Sequence, residues 1–131
     1  MHCVKPKIKA MLVCDNVITE SKTEKNSLIG IFEAINAPKF PCRHHHLAVY
    51  VSFSEALGQC EFKLELIRLD NGQSVFPGQS ISVEASDKHS VYNLVFRIGG
   101  LVFDQPGKYE FRLFASGEIC ETKTINLALV K

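Results

Sequence analysis

Apolar and polar residues alternate with a period of two along most of this 131-residue chain. At residues 60–66, for example, Phe62, Leu64 and Leu66 are separated by charged residues. Because successive side chains of a strand point to opposite faces, this pattern predicts a strand with one buried face. Comparable segments predict about eight strands. They lie at residues 7–19, 27–36, 47–53, 60–66, 81–85, 92–98, 108–113 and 119–130.

The connections between these segments indicate the fold class. Turn-forming residues occur at 70–72, 106–107 and 116–117, and the pair Gly99-Gly100 predicts a bulge or tight corner. Many short strands at regular spacing are typical of an all-β sandwich or barrel. We therefore predict a single antiparallel β-sandwich domain that spans residues 1–131.

Composition narrows the possible partners and the compartment. Apolar residues make up 46% of the chain and charged residues 22%, which is typical of a folded domain. A net charge of +1 with interleaved signs argues against nucleic acid, and no apolar run is long enough to cross a membrane. The apolar run at 10–14 is too short for a signal peptide. These features predict a cytoplasmic protein without a cofactor.

Five cysteines are present, an odd number, and none forms a C-x-x-C pair. This usage predicts reduced, mostly buried thiols and no disulfide. Cys14 is a candidate nucleophile, but it lies with Asp15 in a strand-like run without a glycine-rich elbow, and the sequence identifies no histidine partner for it. We interpret Cys14 as a core residue.

Residues 101–113, which contain Pro106, Gly107 and Tyr109, resemble the turn that enters a strand of immunoglobulin-like domains. In those domains a tyrosine hydrogen-bonds back to the preceding turn. The resemblance implies an immunoglobulin-like sandwich with a structural corner at these three residues. Phe111 stands where antibody domains have their second disulfide cysteine, so the resemblance is to a relative without that disulfide.

A second resemblance covers nearly the whole chain. The segments LVCDNVI at 12–18, SLIGIF at 27–32, FP at 40–41 and PGKYEF at 106–111 together resemble a family of small bacterial all-β proteins of unknown function. This resemblance implies a compact sandwich. It assigns no activity and no catalytic residue.

Three adjacent histidines, at 44–46, are candidate metal ligands. If the strand at 47–53 extends backward in register, His45 faces the core, while Cys42, His44 and His46 lie on the outer face. Residues two apart on a strand are about 6.6 Å apart, so His44 and His46 could share one ion.

A closed metal site would need two further ligands, such as His89, Cys60 or a carboxylate. Their spacing in the sequence does not predict that they lie near His44 and His46. Two interpretations remain open for the run. One is a polar strand end after a proline-containing loop. The other is a small metal-dependent enzyme or metal-binding protein that uses His44 and His46.

The first two predicted strands and the last carry apolar side chains on both faces. A two-layer sandwich hides only one face of each sheet, so the second face needs a cover. The cover is either the connection at 34–41 or a partner. We predict an interface at Met11, Val13, Ile29 and Ile31, with a protein partner or a second copy of the chain. This favours a non-enzymatic binding or assembly module.

Overall fold

A computed structural model describes residues 5–130 of the chain. This part contains nine β-strands and no helix. No helix in it could therefore cross a membrane. The strands are β1 (Lys7–Thr19), β2 (Asn26–Ile31), β3 (Ala34–Ala37), β4 (Cys42–Ser54), β5 (Gly58–Arg68), β6 (Ser74–Ala85), β7 (Tyr92–Phe103), β8 (Gly107–Ala115) and β9 (Glu118–Leu129).

The strands form two sheets that enclose one main core. The four-stranded sheet has the order β2-β1-β4-β7, and the five-stranded sheet has the order β3-β9-β8-β5-β6. Neighbouring strands are antiparallel except β3 and β9, which run parallel. The prediction of an all-β fold is confirmed, with two sheets whose strands pair antiparallel apart from β3 with β9.

Alternating apolar residues of the two sheets face each other in the core. Leu47 and Val49 of β4 pack in one cluster with Phe62 and Leu64 of β5, and all four are fully buried. The rings of Phe53 and Phe62 join the sheets, with centroids 4.6 Å apart. Burial of each such side chain stabilises the fold by about 1.5–3 kcal/mol, so the period-two pattern accounts for the main cohesion of the domain.

The predicted strand at 27–36 is in fact two strands, which raises the number from about eight to nine. The chain leaves the four-stranded sheet after β2 and joins the other sheet as β3, where it pairs with β9. Glu33 lies at the crossing, and its carbonyl accepts a hydrogen bond from the Asn126 amide. The connection at 34–41 therefore does not cover the outer face of β1 and β2 as expected. It adds an edge strand to the opposite sheet.

A smaller apolar cluster lies on the outer face of the four-stranded sheet. Cys14, Val17 and Ala48 are buried there beneath the partly buried side chains of Leu28, Tyr50 and Val95. The Arg97 guanidinium spans the cluster and donates to Asn16 Oδ1 and to the Val17 carbonyl, both at 2.8 Å. The chain's own side chains thus cover much of this face.

Candidate functional site

Strands β4 and β7 both change face beside the histidine run. Leu47 pairs with Ile98 and His44 pairs with Leu101. Leu47, Ile98 and Leu101 are all buried in the main core. Side chains three residues apart on a regular strand point to opposite faces, so both strands are kinked between these pairs. Gly100, with φ +71°, lies at the kink, which agrees with the corner predicted for the glycine pair.

The kink reverses the faces predicted for the histidine run. His45 is exposed rather than directed into the core. Cys42 packs against the core and His44 is half-buried, while His46 is exposed. The prediction that Cys42, His44 and His46 share the outer face is therefore wrong. It extended the alternation of the strand at 47–53 backward, and the kink interrupts that alternation.

His44 lies in a partly apolar environment. Its ring contacts Phe32, with centroids 5.7 Å apart, and its Nε2 atom is buried without a hydrogen-bond partner. Burial lowers the pKa of His44, while Asp15 and a backbone hydrogen bond at His46 act in the opposite direction. Within residues 5–130 no group of three or more His, Cys, Asp or Glu side chains could hold a metal ion. The metal-binding alternative gains no support.

Three cysteines, Cys14, Cys42 and Cys120, carry free thiols. Burial is the main cause of the raised pKa of each thiol, and the pKa of Cys120 reaches about 11. A thiol acts as a nucleophile only as its thiolate, so these environments disfavour nucleophilic catalysis. Cys60 is also fully buried in the main core, and Cys3 lies outside the described residues.

The structure divides the four predicted interface residues into two pairs. Met11 and Val13 are only 6% and 1% exposed and belong to the main core. Ile29 and Ile31 are 47% and 55% exposed on β2. The expectation of one patch that contains all four is wrong, because β1 directs Met11 and Val13 between the sheets. Of the four, Ile29 and Ile31 are the two with exposed side chains.

Strand β2 is the terminal strand of its sheet, and no strand within residues 5–130 pairs with its second edge. Leu28 pairs with Val17. The Glu20 amide donates to the Lys25 carbonyl at 2.9 Å, and since bonded pairs alternate along an antiparallel ladder, Val17 and Leu28 form a non-bonded pair. In an antiparallel ladder such a non-bonded pair directs the backbone groups of both residues away from each other. The amide and carbonyl of Leu28 therefore point outward from the sheet edge.

A hollow of about 330 Å³ adjoins β2 where the chain crosses to the other sheet. Its lining includes Ile31, Phe32 and Ile35 on one side, with Asp15 and His44 beside them. The alternation pattern could not predict this hollow, because residues 27–36 have the pattern of one strand. The hollow and the free edge together form the candidate site, an apolar surface next to unpaired backbone groups.

Gly30 fixes the local shape of this site. Its φ is +68°, and a Cβ atom at this position would collide with the Asp15 side chain. Only glycine combines this left-handed conformation with so close an approach. The glycine therefore brings β2 against Asp15 and determines where Ile31 emerges beside the hollow.

The Tyr109 side chain hydrogen-bonds to the turn that precedes β8. Its hydroxyl donates to the Gln105 carbonyl at 2.7 Å, and the side chain is 1% exposed. Arg68 supports the same turn by donating to Gln105 Oε1 and Asp70 Oδ2, both at 2.6 Å. The corner residues Pro106 and Gly107 complete the turn into β8. This arrangement holds the sandwich together and offers no reactive group.

Comparison with known proteins assigns no activity to this surface. A model of a family of unknown function matches residues 9–128. No curated protein matches the chain.

Proposed function

The chain belongs to DUF6941, a family of unknown function, and we propose that it is a non-enzymatic binding or assembly module that engages a protein partner through the free edge of β2. The observation that carries this proposal is the unpaired edge itself. An exposed strand edge presents a row of hydrogen-bonding groups that another chain can complete.

The other terminal strands of the described sheets have features that hinder such pairing. β3 has only four residues. β6 contains Pro77 and has two register shifts against β5. β7 carries the charged Arg97 and the kink at Gly100. Proline, charge, bulges and short length are the usual means by which proteins protect sheet edges. β2 has neither proline nor charge among its six residues.

Side chains around β2 supply the specificity that backbone pairing lacks. Ile29 and Ile31 are half exposed beside the edge, and the hollow next to Ile31 has apolar walls at Phe32 and Ile35. In strand addition, backbone hydrogen bonds provide affinity and adjacent pockets select alternate side chains of the partner. A protein segment with an apolar residue that enters the hollow would suit this surface.

We also propose that the sandwich is immunoglobulin-like. The parallel pairing of β3 with β9 supports this assignment, as does the sheet order β9-β8-β5-β6. The hydrogen bond from Tyr109 to Gln105 supports it as well, because immunoglobulin-like domains use a tyrosine corner at the corresponding strand entry. Such a scaffold commonly serves recognition, but the function proposed here rests on β2 and not on the fold.

Position-specific crosslinking in the native host tests the proposal. A photoreactive benzophenone side chain replaces Ile31, and the matched control places it at Ile119, which is 47% exposed on the other sheet. We expect position 31 to yield a discrete protein adduct that position 119 does not, identified by mass spectrometry. No adduct at position 31, or the same adducts at both positions, would contradict a binding site at β2.

A further inference from the structure

We infer that the protein segment that pairs with β2 carries a lysine or arginine whose cationic group pairs with Asp15 at the rim of the hollow. This inference rests on the proposed function, because it uses the same free edge. It adds the chemistry of the partner, a basic residue on the same face of the segment as the apolar residue that enters the hollow. Neighbouring residues on one face of a strand are two apart, so the expected motif is a basic and an apolar residue separated by one position.

The Asp15 carboxylate occupies the space that a side chain at position 30 would fill. In the register of the two strands, Asp15 of β1 stands opposite Gly30 of β2. A Cβ atom on Gly30 would lie 2.8 Å from Asp15 Cγ and closer still to Oδ2. The carboxylate of the inner strand therefore lies over the edge strand. A segment that pairs along β2 passes beside this charge.

Asp15 has no counter-ion of its own chain within residues 5–130, because it takes part in none of the ion pairs there. Three cationic side chains of neighbouring strands have other contacts. Lys123 pairs with Glu33, Arg97 donates to Asn16, and Arg43 lies against Gly100. The charge of Asp15 is therefore open to a cation from a partner.

His44 does not neutralise the carboxylate, although it lines the same hollow. Its Nε2 atom is buried without a hydrogen-bond partner, and burial lowers the pKa of the imidazole. His44 is therefore uncharged near neutral pH. The other side chains of the lining are apolar, namely Ile31, Phe32, Ala34 and Ile35. Asp15 thus carries the charge of this surface.

A partner that covers this surface has to compensate the carboxylate. Removal of a carboxylate from water without a counter-charge is strongly unfavourable. Lysine and arginine combine a cationic group with an aliphatic stem that packs on apolar surface. The stem suits the walls at Phe32 and Ile35, while the cation reaches the exposed carboxylate. An acidic segment is repelled, and an uncharged one leaves Asp15 covered without a counter-ion.

Selection of phage-displayed random peptides on the immobilised protein tests this inference. We expect the enriched peptides to contain a lysine or arginine two positions from an apolar residue. They should bind wild type and fail to bind Ile31→Lys, which locates them at β2. The same selection on Asp15→Asn, which keeps the shape of the side chain and removes its charge, should lose the preference for the basic residue.

A double-mutant cycle with one enriched peptide measures the pair. Asp15→Asn should weaken binding about tenfold, and so should replacement of the basic residue of the peptide by methionine. Once the carboxylate is absent, the two peptides should bind equally well. The control Asp104→Asn, at an exposed aspartate that follows β7, should leave the affinity for both peptides unchanged. Circular dichroism verifies that each variant retains its strands.

This inference and the proposed function fail by different results. Enriched peptides without a basic residue, or equal affinity of wild type and Asp15→Asn for a basic peptide, overturn the inference and leave β2 as the binding edge. The inference also fails if no peptide is enriched. Failure of the proposed function is marked instead by the absence of any protein adduct at position 31.

Discussion

Val13→Lys should strongly destabilise the fold, whereas Ile31→Lys should leave the monomer as stable as wild type. Val13 is 1% exposed within the main core, so a lysine there would bury an unpaired charge or shift neighbouring strands. We expect a loss of more than about 4 kcal/mol, a large part of the 5–15 kcal/mol that stabilises a typical domain. Ile31 is 55% exposed, and its replacement should change stability by less than about 0.5 kcal/mol.

Urea unfolding followed by far-UV circular dichroism, at low micromolar protein, measures both effects without a contribution from association. Val13 is buried on β1 and Ile31 is exposed on the adjacent strand β2. The same substitution at the two positions therefore makes each variant the control for the other. A folded Val13→Lys variant with near wild-type stability would place Val13 at a surface and contradict the division of the predicted interface.

Tyr109→Phe should destabilise the protein by about 1–3 kcal/mol. The hydroxyl is removed from a buried side chain and leaves the Gln105 carbonyl without this donor. Tyr50→Phe is the matched control, since its hydroxyl donates to Asn93 Oδ1 at an exposed position, and it should cost less than about 0.5 kcal/mol. If both variants lost the same small amount of unfolding free energy, the Tyr109 hydrogen bond would have no structural role.

The strands of the core could be predicted from the sequence because alternation is a local property. Leu47, Val49 and Phe62 are fully buried as their period-two pattern indicates. Tyr109 also takes the position that the resemblance to immunoglobulin-like turns implies, since turn and strand entry lie within a few residues of each other.

The arrangement at the histidine run could not be predicted in the same way. His44 turns inward because β4 is kinked, and the kink involves Gly100 on a strand that is far away in the sequence. Extension of an alternation pattern cannot detect a change of face that two paired strands make together. The same pattern could not show that Met11 is buried in the core while Ile29, apolar and on the adjacent strand, is exposed.

The crossing of the chain from one sheet to the other after β2 could not be predicted from the sequence either. Within residues 27–36, positions 28–35 are apolar or glycine apart from Glu33, yet the segment belongs to two sheets. The one local signal was the combination of Gly30 and Glu33, a glycine and a charge inside an otherwise strand-like segment. Because the crossing creates both the hollow and the end of β2, the candidate site emerged only with the tertiary structure.

The central claim is that β2 has a free edge that a partner completes, and amide hydrogen exchange resolved by NMR tests it most directly. In dilute monomer the Leu28 amide should exchange rapidly, while the Ile29 amide, which faces β1, should be protected. When a partner strand pairs with the edge, exchange of the Leu28 amide should slow and exchange of the Ile29 amide should change little. A Leu28 amide that is already protected in the monomer would contradict a free edge.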